Sequence, residues 1–435
     1  MERVEIGLAG IGVLLLLLLL RIPIGVGLAV TAFFGVMIVT NQNVAFGLLS
    51  NVPYEFIGDW SLSAVPMFMF MGFLATEMQL TSQLFRAMRT LLAGLPGSLA
   101  VASVAACALF AAASGSSVAT SASMSRIAVP EMLRLNYNAG LAAGSVAAAG
   151  TLGSLIPPSI LMVLFGIFAE VSIGKLFAAG LLPGVISAAM FCLMIILRAA
   201  LNPNLAPDLP ERPSLAERSW ALREIWPLPI LVVGVLGGIY AGLFTPTEAG
   251  AVGSGLTVAI ALVQRRFSFP ALWTAARQAV EGTASIFIIA VGAGLFARYM
   301  ALTGVPDYLA EVFVAGGASA LILILQVSVL YLILGCFIDS IGIMLLTLPI
   351  ILPLLENARV DLIWFGVIVI KLLEIGLVTP PVGLNVFVMK SSLGDQVSLP
   401  QIFRGVLWFI AVDLVTLAII IAFPELSQWL PAQMD

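Results

Sequence analysis

Two short polar stretches lie inside long apolar segments of this chain. The first is a Ser-Gly-Ser-Ser sequence at 114–117, and the second contains Asp339 and Ser340. Hydroxyl, carboxylate and accessible carbonyl oxygens are ligands for hard cations such as Na⁺. A carboxylate in an apolar segment is energetically expensive and usually faces a functional site. Both stretches therefore predict cation sites, with close packing of small residues and helix capping by Asp339 as the alternatives.

A pair of adjacent prolines occurs twice, as Pro157-Pro158 and Pro380-Pro381. Proline removes a backbone donor and clashes with the preceding turn, so neither pair can continue a helix. The half-helix before such a break ends in unpaired carbonyls, which attract a cation, and the half-helix after it begins with free N–H groups, which attract a carboxylate. The residues expected to contact this anion are Thr120, Pro157, Pro158, Ser159, Pro380, Pro381, Gly383 and Asn385.

The composition indicates a membrane protein. Of the 435 residues, 61% are hydrophobic and only 10% are charged, against about 25% charged residues in soluble proteins. We therefore expect an all-α polytopic membrane protein. No basic stripe with aromatic residues, no phosphate-binding P-loop sequence and no histidine is present, which argues against nucleic-acid binding, ATP hydrolysis and enzymatic activity.

The chain contains an internal duplication. The two Pro-Pro pairs are 223 residues apart, and the same offset relates Pro23 to Pro246 and Pro130 to Pro353. Paired interruptions in two halves are typical of secondary transporters. The predicted units are a first repeat at 1–198, a polar cytoplasmic linker at 199–224 and a second repeat at 225–435.

Apolar segments of about 20 residues are long enough to span a membrane. The uninterrupted candidates are 4–20, 22–40, 62–79, 176–197, 225–243, 247–263, 283–301 and 405–424. The interrupted segments 96–133 and 318–355 predict two re-entrant hairpins, and the proline-containing segments 139–170 and 362–390 predict two broken transmembrane helices. The mixed segment 268–281 predicts a helix at the membrane interface.

The distribution of basic residues indicates the topology. If the hairpins do not cross the membrane, each repeat has five spans and the two repeats are inverted. Arginine and lysine are concentrated on the cytoplasmic side of membrane proteins. The basic residues that this arrangement places there are Arg21, Arg86, Arg89, Arg126, Arg134, Arg198, Arg212, Arg218, Arg223, Arg265, Arg266, Lys390 and Arg404. Both termini are then expected on the opposite side.

Two oppositely charged residues, Lys371 and Glu374, lie inside the second broken segment. Residues three apart are neighbours on one face of a helix. We therefore expect them to neutralise each other and to be structural.

Several motifs, taken together and in order, resemble the large membrane subunit of tripartite ATP-independent periplasmic (TRAP) transporters, the DctM-like family. The stretches that carry the resemblance are Val65-Pro66-Met67-Phe68, 114–120, Ile156-Pro157-Pro158-Ser159, 244–251, Asp339 with Pro349 and Pro353, and 374–383. Lys371 departs from the family pattern.

The resemblance implies an inverted-repeat, elevator-type transporter of the bacterial inner membrane, coupled to Na⁺, with no other cofactor and with periplasmic termini. Its implied partners are a periplasmic binding protein that delivers an organic acid and a small four-span membrane subunit, which we expect to be a separate chain. The implied residues of the first Na⁺ site are Ser114, Gly115, Ser116, Ser117 and Gly153. Those of the second are Gly335, Asp339, Gly376 and Thr379.

Two other functions remain open at this point. A stand-alone ion-coupled carboxylate carrier would have a related architecture without a binding protein. An intramembrane enzyme or an assembly scaffold is less consistent with the paired helix breaks. Dicarboxylates, sialic acid and other carboxylated solutes all suit the N-terminus of a half-helix.

Overall fold

A computed structural model describes residues 2–207, 213–315 and 319–434 of the chain. Residues 208–212 of the predicted linker and residue 318 at the start of the predicted second hairpin lie outside this part. Within the described residues the secondary structure is helical and contains no strand. The prediction of an all-α protein is confirmed.

Most of the helices follow the apolar segments of the sequence. Those of the first half are α1 Arg3–Leu19, α2 Ile24–Val39, α3 Gln42–Ile57, α4 Ala64–Glu77, α5 Leu80–Leu91, α6 Ser98–Ser114, α7 Ser117–Arg134, α8 Ala139–Leu155, α9 Ile160–Phe168 and α10 Ile173–Leu201. Those of the second half are α11 Leu215–Glu224, α12 Pro227–Val232, α13 Gly238–Tyr240, α14 Pro246–Val263, α15 Phe269–Thr303, α16 Val305–Ala315, α17 Ala320–Gly335, α18 Ser340–Asn357, α19 Leu362–Val378, α20 Leu384–Leu393, α21 Leu399–Ala422 and α22 Glu425–Gln428.

Several helices are long and apolar enough to cross a membrane. Six described segments meet this criterion by length and composition, and up to eight do so if each of two bent helix pairs forms one span. The bent pairs are α3 with α4, at 54°, and α8 with α9, at 40°. One of the six is α18, an arm of the predicted second hairpin. Re-entry of the hairpins and inversion of the repeats therefore stay predictions.

Both predicted hairpins contain a sharp interruption between two helices. Gly115, between α6 and α7, has a φ of +61°, a backbone conformation that glycine adopts without steric cost. Ser116 then caps α7 by accepting a hydrogen bond from the amide of Ala119 (3.4 Å). Between α17 and α18, Asp339 plays the same role and accepts from the amide of Gly342 (2.9 Å). We call residues 114–117 the first tip and residues 335–340 the second tip.

Both proline pairs interrupt a helix, as the sequence predicts. The first break lies between α8 and α9, and the second lies between α19 and α20. Every residue from Leu141 to Leu155 and from Phe365 to Val378 is buried. Helix α8 packs against α6, α7 and α21, and α19 packs against α8, α17 and α21. The two broken helices therefore form the centre of the protein.

One prediction about individual helices is wrong. The interfacial helix at 268–281 and the span at 283–301 form one continuous helix, α15, of 35 residues. Only Gly282 separates the two segments, and one glycine costs about 1 kcal/mol in a helix, too little to break one that packs along its length. The polar linker also contains a helix, α11, which begins with a reciprocal capping arrangement of Ser214 and Glu217.

The predicted neutralisation of Lys371 by Glu374 is also wrong. The Lys371 ammonium lies 2.5 Å from Asp413 Oδ1 on α21 and donates a hydrogen bond to Ser187 Oγ on α10 at 3.1 Å. It also lies 5.7 Å from the ring centroid of Phe191. Glu374 is fully buried, and neither of its carboxylate oxygens has a hydrogen-bond partner among the described residues. A partner on a facing helix therefore replaces the one nearby in sequence.

This buried ion pair generates a stability prediction. Asp413→Leu leaves the Lys371 charge buried and unpaired, which costs about 3–5 kcal/mol. The double variant Lys371→Met/Asp413→Leu removes both charges and should recover most of that loss. Thermal unfolding of the purified protein measures both effects. An Asp413→Leu variant as stable as the parent protein would contradict this account of the pair.

Candidate functional site

The first tip is a compact network of hydroxyl and carbonyl oxygens. The hydroxyls of Ser114 and Thr120 are hydrogen-bonded to each other at 2.6 Å. The Thr120 hydroxyl also lies 2.8 Å from the Ser116 carbonyl, to which it can donate. Ser114 and Thr120 are buried, and Ser116 is partly exposed. The tip thus places several oxygen atoms close together in an apolar surrounding.

The first tip lies directly against the first broken helix. Ser117 is hydrogen-bonded through its hydroxyl to that of Ser154. The amide of Ile160, at the start of α9, donates to the carbonyl of Gly115 (3.2 Å). A Cβ atom on Gly153 would lie 2.7 Å from the Ser116 carbonyl oxygen, so this approach requires glycine. The structure therefore brings together the five residues predicted for the first Na⁺ site.

The second tip contacts the second broken helix in a similar way. A Cβ atom on Gly376 would lie 2.6 Å from the Cα of Gly335, so the two backbones pack directly. The amide of Val382 donates to the carbonyl of Cys336 (3.3 Å). The Thr379 hydroxyl donates to the carbonyl of Ile375 at 2.6 Å, one turn back along α19. Gly335 and Gly376, both predicted for the second Na⁺ site, are therefore in contact.

A cavity of about 140 Å³ lies between the two tips. Both tips and both broken helices contribute to it, and Met69 of α4 and Ile286 of α15 contribute from other helices. The remaining lining residues are Gly115, Ser116, Ser117, Val118, Ser154, Ile160, Leu161, Asp339, Ser340, Ile341, Leu377 and Leu384. This arrangement joins elements from the two halves of the chain around one space.

The residues predicted to contact the anion are close in sequence to residues that line this cavity, but they do not line it themselves. The Thr120 hydroxyl is hydrogen-bonded to Ser114 and Ser116 of the first tip. Ser159 caps α9 by accepting a hydrogen bond from the amide of Met162 (3.4 Å). Asn385 is fully buried, and its amide has no hydrogen-bond partner among the described residues. The others are buried Pro157, Pro158 and Gly383, partly exposed Pro380 and exposed Pro381. Their contact with an anion stays a prediction.

The available ligands are of the kind that hard cations prefer. Among the described residues, no three histidine, cysteine, aspartate or glutamate side chains form a metal-binding group. The tips instead offer hydroxyl oxygens and the carbonyls of interrupted helix ends, together with the Asp339 carboxylate. Oxygen donors of this kind suit hard ions. The residues present therefore suit a hard cation rather than a soft metal ion.

Some lining residues were not predicted from the sequence. Ser154 lies just before the first Pro-Pro pair, so its position relative to the break is a usable signal. Met69 and Ile286 come from helices outside the breaks, and the sequence around them gives no indication that they line a site.

Asp413 does not line the cavity, but it is the buried partner of Lys371 and was not predicted either. It lies in an apolar run, and a carboxylate in such a run is itself an indication of a functional or structural site.

Comparison with known proteins gives consistent matches. The family model described as "Tripartite ATP-independent periplasmic transporter, DctM component" matches residues 11–426. A C4-dicarboxylate TRAP transporter large permease protein from Pseudomonas aeruginosa is 36% identical over 382 residues, covering 87% of this chain and 88% of its own. A sialic acid TRAP transporter large permease protein from Vibrio cholerae is 31% identical over 376 residues, covering 86% of this chain and 87% of the relative.

A solved structure shares the fold. The YdaH transporter of Alcanivorax borkumensis matches with a TM-score of 0.65 and 14% sequence identity, over 90% of this chain and 91% of that one. At this identity the match shows the fold alone.

The contact between Gly335 and Gly376 generates a prediction. Gly376→Ala places a methyl group against backbone atoms, which cannot yield as a flexible side chain can. We expect a lower unfolding temperature and a weaker effect of Na⁺ on that temperature. Gly255→Ala is the matched control, since a Cβ atom at Gly255 meets no heavy atom within 4 Å. Equal unfolding temperatures and Na⁺ effects for Gly376→Ala and Gly255→Ala would contradict the close approach.

Proposed function

Since the chain belongs to the family of the DctM component of tripartite ATP-independent periplasmic transporters, we propose that it takes up an organic acid together with Na⁺. The observation that carries this proposal is the cavity between the tips. Its lining combines residues of the two oxygen-containing tips with residues of the helices that flank the two breaks. Cations and a carboxylate can therefore bind side by side in one space.

The proposed cation sites use the oxygen atoms of the tips. Ser114, Ser116 and Ser117 hold the first site together with the end of α8, and Asp339 with the end of α19 holds the second. Bound Na⁺ supplies positive charge that favours an adjacent carboxylate. The chain's own contribution is to keep these oxygens in place, through contacts such as that of Gly153 with the first tip.

The proposed substrate site uses the beginnings of the following half-helices. Helices α9 and α20 begin directly after the breaks, and a helix N-terminus carries partial positive charge that attracts a carboxylate. Leu161 and Leu384, in the first turns of these helices, line the cavity. They supply an apolar boundary for the carbon skeleton of the substrate.

We also propose an elevator movement of the unit that contains the tips and the broken helices. Two lining residues, Met69 and Ile286, belong to α4 and α15, which lie outside that unit. The cavity therefore lies at a boundary between the unit and the other helices. Sliding along this boundary would carry the cavity across the membrane and expose it to each side in turn.

Membership of the family supports a proposal for the substrate class and the partners. The named relatives transport C4-dicarboxylates or sialic acid, both of which carry a carboxylate. We propose a substrate of this class, a periplasmic binding protein that delivers it and a small membrane subunit. The proposed location is the inner membrane, with both termini on the periplasmic side.

Uptake into proteoliposomes tests this function. The chain is reconstituted with its small partner subunit and its binding protein, and radiolabelled succinate and sialic acid are tested in parallel. We expect uptake of one of them only with all components and an inward Na⁺ gradient. Uptake by the chain alone would favour the stand-alone carrier, and equal uptake with a proton gradient would contradict the coupling to Na⁺.

Asp339 provides a sharper test of the second cation site. Asp339→Asn removes the charge but keeps a residue that caps helices equally well. We expect the Na⁺ concentration for half-maximal uptake to rise roughly tenfold. This is the change in affinity that is typical when one contact to a charged group is lost.

The matched control is Asp361→Asn. Asp361 also caps a helix, by accepting from the amide of Trp364 at 2.7 Å, but it does not line the cavity. An unchanged Na⁺ dependence in Asp339→Asn, with an unfolding temperature equal to that of the control, would exclude Asp339 from the site.

A further inference from the structure

A second, polar cleft of about 370 Å³ lies far from the tips in sequence, where α5, α11 and α14 meet. Helix α14 ends at Val263, and Arg265 then adopts a φ of +56°. The amide of Arg266 donates to the carbonyl of Ala261 (2.8 Å), which closes the helix end. This turn places Arg266 in the cleft. The other lining residues are Gln83, Trp220, Arg223, Glu224, Trp226 and Gln264.

The charged groups of this cleft lack ion-pair partners. Within the described residues, Arg223, Arg266 and Glu224 take part in no salt bridge. Arg266 makes only a long contact, 3.5 Å, with the carbonyl of Gln79. Arg223 and Arg266 thus both line the cleft without a salt bridge to a carboxylate, and guanidinium groups are well suited to binding a phosphate.

The cleft also contains hydrogen-bond acceptors without donors. The amide oxygens of Gln83 and Gln264 are buried, and neither has a hydrogen-bond partner among the described residues. A buried oxygen without a donor is unfavourable and calls for an explanation, such as a bound group. With the Glu224 carboxylate, these oxygens are suited to a group that carries several N–H donors and a positive charge.

The surroundings place the cleft at the membrane surface. Trp220 and Trp226 are 62% and 36% exposed, and tryptophan is enriched where the apolar core meets the headgroups. Exposed apolar side chains lie on the adjoining helices. They are Ile230 in α12, Val233 directly after α12, and Leu262 near the end of α14. A ligand here therefore meets a polar cleft beside an apolar surface.

We propose that this cleft binds phosphatidylethanolamine. The phosphate lies between Arg223 and Arg266, and the ammonium group donates to the oxygens of Gln83, Gln264 and Glu224. The acyl chains follow the exposed apolar surface. Phosphatidylglycerol has the phosphate but no ammonium group, and phosphatidylcholine has a cation without N–H donors. Among these three lipids, phosphatidylethanolamine is the one that satisfies both sets of groups. This inference does not depend on the proposed transport function.

Native mass spectrometry of the purified full-length protein, titrated with single lipids of matched acyl chains, tests this proposal. We expect phosphatidylethanolamine to bind about tenfold more tightly than phosphatidylcholine or phosphatidylglycerol, a difference typical of hydrogen bonds to a charged group. Arg223→Gln/Arg266→Gln should weaken the binding of all three lipids. Gln264→Leu should remove the preference for phosphatidylethanolamine over phosphatidylcholine and leave the phosphate contact intact.

The control variant is Arg404→Gln, which removes another exposed arginine that has no ion-pair partner among the described residues. It should bind all three lipids as the parent protein does. Inorganic phosphate is titrated separately, and competition by phosphate alone at equal concentration would overturn the assignment to a lipid. Equal affinity for the three lipids, or unchanged binding in Arg223→Gln/Arg266→Gln, would also overturn the proposal.

Discussion

Backbone groups freed at the two helix breaks need hydrogen-bond partners, because an unpaired backbone group in an apolar surrounding is energetically costly. In this protein the hairpin tips supply part of them. The amide of Ile160 donates to the carbonyl of Gly115, and the amide of Val382 donates to that of Cys336. Each broken helix therefore depends on its tip. Because the breaks directly follow α8 and α19, which are buried along most of their length, the centre of the protein depends on these two contacts.

The same contacts determine which residues surround the cavity. A tip can satisfy a broken helix only at short range, and this selects glycine at Gly153, Gly335 and Gly376. Short range in turn concentrates carbonyl and hydroxyl oxygens in a small apolar volume. Such a concentration is unfavourable without a positive charge, since like partial charges repel each other and are poorly solvated there. The packing that stabilises the breaks thus also produces an environment suited to a cation.

The features that could be predicted from the sequence are local ones. Pro157 and Pro380 with their neighbouring prolines exclude a continuous helix wherever the chain places them, and Gly115 allows the reversal at the first tip. The partner of Lys371 could not be predicted, because Asp413 is distant in sequence and the choice between it and a nearby carboxylate depends on how α19 and α21 pack. The position of Ile286 in the cavity wall could not be predicted either, because it depends on how α15 packs against the tips. The continuity of α15 was missed because tertiary packing outweighs the weak helix-breaking tendency of one glycine.

A direct test of the central claim is the structure of the complete transporter, determined by electron cryo-microscopy once in Na⁺ and once in K⁺ at the same ionic strength. We expect density for an ion at each tip in Na⁺, bounded by the first tip with Gly153 and by Asp339 with the end of α19. We expect both densities to be absent in K⁺. Tips without ion density in Na⁺, or with the same density in both salts, would contradict the claim that these contacts form the coupling sites.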